Sequence, residues 1–384
     1  MKSLKHFSLL IACLFLAPIS NAQTSKTIDP ELQNLYGDII PGESKQLNTL
    51  SSLNLILPDT KAEEWPAIRE KISKRLLAAF GTGTVELKPT VNKFQEIERY
   101  QNYGLTHIKY RYHVVDDIWN EGILVLPEKF QDNKQSMAVL TIHGTNGKSG
   151  KMGALGAPGT RRAYALELAK RGYVTFSPDL FGYGSTISEV SEGQLVSDFL
   201  KKYPNWSYRA IKLLTLIRAI DVLEQLPYVK KGSYGSMGNS LGGGMALYHA
   251  AIDPRIKVSV PSTGVSPVAT NVFRLFRNGA VNEEPTKWKK IAADGKPPYD
   301  VHEVIALCAP RAMLFLDDYN DPYNPDAQAG FHHIYQAMQV YQLLGTPGHI
   351  SLLLHGDGHD TIDDVREYAY KWFDRYLLKK KAAK

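Results

Sequence analysis

Residues 238–242, Gly-Asn-Ser-Leu-Gly, place Ser240 between small residues two positions before and two positions after it. This spacing is typical of a nucleophile elbow, a strained strand-to-helix turn that exposes a serine hydroxyl. A chain with 30 glycines contains such spacings by chance, but the flanking residues also fit the motif. Residues 232–237 favour a short buried strand, and residues 245–251 favour a helix. Ser240 is therefore the candidate covalent nucleophile.

A serine hydroxyl is a poor nucleophile until a base removes its proton, so the elbow predicts an acid and then a histidine later in the chain. The apolar run 312–316 leads into a loop rich in Asp, Asn and Pro, which predicts a late core strand. Asp317, Asp318 and Asp321 compete there for the role of acid. We prefer Asp321 because it lies out on the loop, whereas the other two are more simply strand-end and turn residues. They stay open as alternatives.

The base is expected on the loop that follows the last predicted strand, residues 350–354. We prefer His359 to His355 because His359 follows Gly358 and lies deeper in the loop. A competing interpretation is a metal cluster of His355, Asp357 and His359. A metal needs three or four converging ligands, and the chain has no H-E-x-x-H pattern or partner cysteine. We therefore expect no metal ion and no cofactor.

The tetrahedral intermediate of acyl transfer needs hydrogen-bond donors for its oxyanion, normally backbone N–H groups held in place beforehand. The predicted strand 137–142 ends in His143-Gly144-Thr145, a turn of the kind that supplies one donor. We assign Thr145 N–H to that role and Leu241 N–H, the residue after the nucleophile, to the other. His143 is interpreted as structural because His359 fits the role of general base better.

These ordered motifs resemble the α/β-hydrolase superfamily, specifically its dienelactone-hydrolase and acetyl-xylan-esterase-like branch of bacterial secreted enzymes. Residues 179–184, 218–221 and 299–311 add to the resemblance, which covers the chain from about residue 91 onward. It implies an α/β fold with a mostly parallel central sheet and helices on both faces. Glucuronoyl esterases share this layout, but they carry Cys and Arg around the nucleophile where this chain has Asn239 and Leu241. That departure weakens a uronate-ester assignment.

The predicted domain organisation has three parts: a signal peptide at 1–22, a helical extension at 23–90 packed on the core, and a catalytic domain at 91–384. In the extension, Asp59 or Thr60 could cap a helix that Gly81 ends. Its apolar residues recur at three- and four-residue steps: Trp65, Ile68, Ile72, Leu76 and Phe80. Strands and helices alternate later in the chain, which favours a parallel sheet.

Two insertions could shape the substrate site, residues 185–208 and 262–298. Their aromatic side chains suit sugar stacking, but aromatic residues serve equally to pack a cap onto a core, and packing is the safer interpretation. The residues concerned are Tyr203, Trp206 and Tyr208 in the first insertion and Phe273, Phe276 and Trp288 in the second.

The N-terminus favours export, because Lys2 and Lys5 precede an apolar stretch and Ala22 offers a small residue for cleavage. The apolar stretch is too short for a transmembrane anchor. Lipid anchoring at Cys13 is less favoured because apolar residues continue past it. We expect a secreted or periplasmic protein. The formal net charge of +6 is mild, and no arginine-aromatic stripe indicates a nucleic-acid partner.

Together these features predict a serine esterase that cleaves a carboxylic ester, most simply an acyl group on a polysaccharide or oligosaccharide. A peptidase of the prolyl-oligopeptidase type uses the same order of triad residues and is the alternative within hydrolases. A non-catalytic carbohydrate-binding protein on a hydrolase scaffold is the alternative from another class. That alternative would not require Ser240, Asp321 and His359 in order.

Overall fold

A computed structural model of the chain describes residues 55–81, 87–131, 133–268, 299–324 and 327–379. All of these residues fall in one compact unit. The predicted signal peptide, Cys13 and the aromatic residues Phe273, Phe276 and Trp288 lie outside the described residues. Among the helices that the structure describes, none has the length and apolarity that crossing a bilayer requires.

A single sheet forms the centre of the described part of the chain. In chain order its strands are β1 Phe94–Asn102, β2 Leu105–Val115, β3 Ile118–Val125, β4 Ser136–Ile142, β5 Val174–Pro178, β6 Val229–Asn239, β7 Ile256–Ser262, β8 Ala312–Asp318 and β9 Ile350–His355. Their order across the sheet is β1-β2-β3-β5-β4-β6-β7-β8-β9. Across the sheet, the pairings β1-β2, β2-β3 and β3-β5 are antiparallel. The remaining five pairings, from β5-β4 to β8-β9, are parallel. The predicted mostly parallel sheet is confirmed.

Helices cover both faces of this sheet. Those described are α1 Trp65–Phe80, α2 Met152–Leu155, α3 Tyr164–Lys170, α4 Glu192–Lys202, α5 Tyr208–Leu223, α6 Leu241–Ile252, α7 Val301–Cys308, α8 Ala327–Leu343 and α9 Asp363–Tyr376. Because side chains alternate along a strand, Met313 and Phe315 of β8 join the apolar cluster that includes α1, α5, α6, α7 and α8. Leu314 and Leu316 join the opposite cluster, which includes α9.

Helix α1 confirms most of the pattern predicted for the N-terminal extension. Its buried apolar residues are Trp65, Ile72, Leu76 and Phe80. Gly81 ends the helix at φ 64°, a left-handed conformation that glycine adopts without strain. The predicted cap is wrong: a 3₁₀ turn at Ala62–Glu64 precedes the helix, and the Thr60 hydroxyl accepts a hydrogen bond from Leu57 N–H instead. The boundary at residues 90 and 91 stays a prediction.

The aromatic residues of the first insertion pack against one another. Trp206 and Tyr208 are buried, and Phe199 of α4 has its ring centroid 4.8 Å from that of Tyr203 and 5.7 Å from that of Trp206. The Tyr208 hydroxyl donates to the Phe181 carbonyl over 3.0 Å. In this insertion the aromatic side chains hold α4 on the core.

The buried carboxylate of Asp179 organises the loops that follow β4 and β5. It accepts hydrogen bonds from Lys151 N–H over 2.7 Å and from Lys151 Nζ over 2.6 Å. Ser185 donates to it from N–H over 2.9 Å and from Oγ over 2.7 Å. A buried carboxylate is stable only when it is paired and hydrogen-bonded, and these four donors meet that condition. The loops are therefore fixed relative to each other.

Gly184 lies so close to this carboxylate that substitution should break the arrangement. A Cβ on Gly184 would lie 2.0 Å from Asp179 Oδ1, and the residue has φ 58°. We expect Gly184→Ala to destabilise the protein, with about 1–3 kcal/mol from the backbone conformation alone. Chemical denaturation measures the loss.

Gly193 is the matched control, because it lies in α4 with nothing within 4 Å of an added Cβ. Gly193→Ala should leave the free energy of unfolding unchanged or raise it by up to about 1 kcal/mol, since alanine favours a helix. Equal losses in the two variants would contradict the role given to Asp179.

Candidate active site

Ser240 occupies the turn between the end of β6 and the start of α6. Its φ of 59° and ψ of −121° are unusual for a residue with a side chain and match the strain expected of a nucleophile elbow. Ser240 N–H donates to the Ser262 carbonyl over 2.9 Å, and Asn239 Nδ2 donates to Thr263 Oγ1 over 2.6 Å. These bonds fix the turn to the end of β7, and Ser240 remains partly exposed.

The glycines around Ser240 allow backbone segments to touch without intervening side chains. A Cβ on Gly242 would lie 2.2 Å from the Ile142 carbonyl oxygen, and one on Gly238 would lie 2.5 Å from Gly242 C. Both distances are far below van der Waals contact. The small residues of the motif are therefore required by the approach of α6 to the ends of β4 and β6.

His359 and Asp321 form a close pair on the loops after β9 and β8. His359 Nδ1 lies 2.7 Å from Asp321 Oδ2, while Asp321 Oδ1 accepts a bond from Tyr323 N–H over 2.8 Å. The Tyr323 ring stands edge-on to the imidazole, with centroids 4.7 Å apart. A neutral imidazole bonded in this way carries its proton on Nδ1 and keeps a lone pair on Nε2.

A second histidine and aspartate pair braces the same loop. His355 Nδ1 lies 3.0 Å from Asp318 Oδ2, and Gly358 N–H donates to the same oxygen over 2.5 Å. Asp318 therefore shapes the turn that leads to His359. The structure directs the two histidines to different carboxylates, and Asp357 is half-exposed, 3.6 Å from His355. Within the described residues, His355, Asp357 and His359 therefore do not form the cluster of potential metal ligands that the competing interpretation requires.

His143 is buried at the end of β4 and is engaged at both ring nitrogens. Its Nδ1 lies 2.6 Å from the Gly144 carbonyl, to which it donates, and its Nε2 accepts from Leu180 N–H over 3.0 Å. Burial lowers the pKa of His143 to about 4, so the ring is neutral at pH 7. With no ring nitrogen left for substrate, His143 buttresses the loop.

The two backbone amides predicted for the oxyanion belong to Thr145, which follows Gly144 in the chain, and to Leu241, which follows Ser240. Gly144 faces Ser240, since a Cβ there would lie 3.6 Å from Ser240 Cβ, and Thr145 is the exposed residue that follows it. Leu241 is the first residue of α6, where backbone N–H groups have no partner within the helix. An amide in either position could donate to a ligand at Ser240.

Arg162 is a residue of this site that the sequence analysis missed. Its Nη1 lies 3.9 Å from the position that a Cβ on Gly144 would take, and its Nη2 donates to the His359 carbonyl over 3.4 Å. Asp360 Oδ1 lies 3.5 Å from Nε. Arg162 precedes α3, nearly two hundred residues before His359, and no local pattern links the two. The structure thus adds a cation beside the serine and histidine loops.

The chain matches two protein families over different parts of its length. Residues 206–345 match the family described as fungal glucuronyl esterase, and residues 131–274 match the dienelactone hydrolase family. Both matches include Ser240. The elements that carry the predicted nucleophile are thus shared with both groups.

Individual relatives agree with these family matches. The chain is 25% identical to a protein named as a hydrolase, YtaP of Bacillus subtilis (strain 168), over 56% of this chain and 69% of that one. It is 29% identical to 4-O-methyl-glucuronoyl methylesterase 1 of Wolfiporia cocos (strain MD-104), over 42% of this chain and 44% of the relative.

A solved glucuronoyl esterase from Solibacter usitatus superposes with a TM-score of 0.65 and 17% identity, over 83% of this chain and 95% of that one. At this identity the superposition shows a common fold. The two family matches identify this chain as a carboxylic ester hydrolase, and its sheet has the α/β-hydrolase architecture.

Proposed function

We propose that this protein is a serine esterase that removes acyl groups of the acetyl type from polysaccharides or oligosaccharides. The observation that carries the proposal is the hydrogen bond from His359 to Asp321. The two residues lie on loops that follow β9 and β8, and Ser240 follows the parallel strand β6, so all three come after the carboxyl ends of strands in one sheet. Parallel strands present their carboxyl ends at one edge, which is where open α/β sheets bind their ligands.

In the proposed reaction, His359 Nε2 accepts the proton of the Ser240 hydroxyl as its oxygen attacks the ester carbonyl. Asp321 keeps the imidazole in the required tautomer and stabilises its cationic form. The tetrahedral intermediate collapses to an acyl-serine, and His359 returns the proton to the departing sugar hydroxyl. A water molecule, deprotonated by His359, then releases the acid and restores Ser240.

The negative oxygen of each intermediate would accept hydrogen bonds from Thr145 N–H and Leu241 N–H. Removal of one such donor in a serine hydrolase costs on the order of 10²- to 10³-fold in turnover. Arg162 would add a positive charge next to these amides. It would also restrain the loop of the base, because it donates to the His359 carbonyl.

The second candidate substrate is an ester formed by the carboxyl group of a uronic acid. Two observations favour it: the matches to glucuronyl and glucuronoyl esterases, and the guanidinium of Arg162 near Gly144, the residue that faces Ser240. The presence of Asn239 and Leu241 around Ser240 favours the acyl esters instead. If residues 1–22 direct export, as the sequence predicts, the enzyme would meet such polymers outside the cytoplasm.

The proposed function is tested with the purified protein and a panel of an aryl acetate, acetylated xylan and a uronic-acid methyl ester. We expect turnover of acetylated xylan and labelling of Ser240 by a serine-directed phosphonate. Ser240→Ala should lose on the order of 10⁶-fold in turnover while keeping its thermal midpoint. Labelling without turnover of any glycan ester would refute the carbohydrate assignment, and turnover of the uronate ester alone would favour the second candidate.

The acid of the triad is tested by a pair of aspartate substitutions. Asp321→Asn should reduce turnover about 10⁴-fold, because the amide leaves His359 in the wrong tautomer. Asp318→Asn should lose far less activity, since Asp318 contacts His355 and Gly358 rather than His359. Turnover numbers measured beside thermal midpoints separate catalysis from folding. The larger loss at Asp318 would transfer the role of acid to that residue.

Arg162→Gln tests the cation beside the nucleophile. We expect about a 10²-fold loss in turnover with a smaller change in KM, because the guanidinium acts on charge that develops in the transition state. Arg161→Gln is the control: it removes an equal charge that also faces Asp360, at 3.4 Å, but is well exposed. Similar kinetics in the two variants would assign the effect to general charge alone.

A further inference from the structure

Two buried histidines and a buried aspartate meet outside the proposed triad. Asp300 and His302 lie at the start of α7, and His333 lies in α8. Their exposed fractions are 5%, 7% and 4%. One potential ligand atom from each of the three lies within 4.8 Å of the other two. Three such groups in one buried place need a physical reason, because the burial of titratable groups is costly even where they are partly hydrogen-bonded.

The hydrogen bonds of His333 determine which of its nitrogens faces the cluster. Its Nδ1 lies 2.7 Å from the Ala329 carbonyl, so Nδ1 carries the donated proton. Its Nε2, which carries a lone pair whenever the ring is neutral, lies 3.5 Å from Asp300 Oδ2. Two acceptors repel each other at this distance unless a proton or a metal ion lies between them.

His302 presents a further nitrogen to the same place. Its ring stands edge-on to that of His333, with centroids 5.1 Å apart. Across the described part of the chain, His302 Nδ1 and His333 Nε2 both lack a hydrogen-bond partner.

Asp300 is held in one orientation by hydrogen bonds from the backbone. Its Oδ1 accepts hydrogen bonds from Val268 N–H over 2.7 Å and from Val301 N–H over 2.6 Å. Hydrogen bonds of this kind orient the ligands of metal sites, as does the bond from a ligating imidazole to a backbone carbonyl. Both kinds of support are therefore present, one at Asp300 and one at His333.

We propose that Asp300, His302 and His333 bind one Zn²⁺ ion. Two imidazoles and a carboxylate are a ligand set that zinc accepts, with distances of about 2.0–2.2 Å to each atom. Tetrahedral ligands then lie about 3.4 Å apart, close to the 3.5 Å between His333 Nε2 and Asp300 Oδ2. The widest separation, at most 4.8 Å, would close by up to about 1.4 Å as the ion binds.

Such an ion would join three parts of the fold: the chain after β7, through Val268 N–H and Asp300, and helices α7 and α8. The site has no part in the proposed ester chemistry. Its predicted effect is on stability, because an ion that binds only the folded state shifts the unfolding equilibrium by mass action. For a chain of 384 residues, Zn²⁺ at a hundredfold excess over its Kd should raise the thermal midpoint by about 3 °C.

The experiment uses the full chain, stripped of metal with a chelator and titrated with Zn²⁺ by calorimetry and thermal unfolding. We expect about one equivalent of tight binding in the native chain. His333→Gln should abolish that binding and the midpoint shift. The control is His332→Gln, the preceding residue of α8 and outside the cluster, which should retain both.

A spectroscopic measurement on the unmodified chain covers the case in which His333→Gln does not fold. Co²⁺ in place of Zn²⁺ should give the visible absorption of a cobalt ion with nitrogen and oxygen ligands, and Zn²⁺ should displace it. Absence of stoichiometric Zn²⁺ binding by the native chain would overturn the proposal and leave a proton shared by His333 and Asp300. Equal binding by His333→Gln would overturn it as well.

Discussion

The direct backbone contact between α6 and the ends of three neighbouring strands is the constraint on which the site depends. A Cβ on Gly242 or Gly243 would overlap carbonyl oxygens of Ile142 or Ser262, so the helix can approach only where side chains are missing. The turn before the helix is then short and strained, and Ser240 takes the unusual φ of 59°. The packing of this helix, rather than any property of the serine, exposes the hydroxyl.

Close backbone packing holds α6 in place, and buried polar groups hold the loops around Ser240. Asp179 fixes the loop after β4 to the turn after β5, and His143 uses both ring nitrogens within the same region. At the end of β8, the Asp318 carboxylate pairs with His355 and accepts a hydrogen bond from the Gly358 amide. These groups use their hydrogen bonds within the protein, whereas the hydrogen bond between His359 and Asp321 is the one that we propose to act in catalysis.

The features that the sequence predicted well are those with a local pattern. The turn at Ser240 lies between glycines at fixed spacing, and α1 has apolar residues at helical steps and a glycine at its end. The apolar runs before Asp321 and His359 form β8 and β9 as predicted, while the catalytic roles of these residues stay predictions. The cap of α1 was wrong because a 3₁₀ turn separates Thr60 from the helix. Arg162 and the cluster of His302 and His333 were missed because their contacts join residues distant in sequence. Such contacts depend on how helices pack on the sheet, and that packing leaves no local signal.

The strand order places Ser240 and His359, the proposed nucleophile and base, on strands that differ in how easily they open. Ser240 follows β6, which is flanked by β4 and β7, whereas His359 follows β9, which pairs with β8 and lies at the edge of the sheet formed by the described residues. Edge elements open at lower free energy than central ones, as amide hydrogen exchange shows in other proteins. A partial opening of β9 would withdraw the imidazole while the elbow kept its shape. Warming or mild denaturant would then inactivate the enzyme reversibly before the whole sheet unfolds. The amides of β6 would still exchange slowly in the inactive molecule.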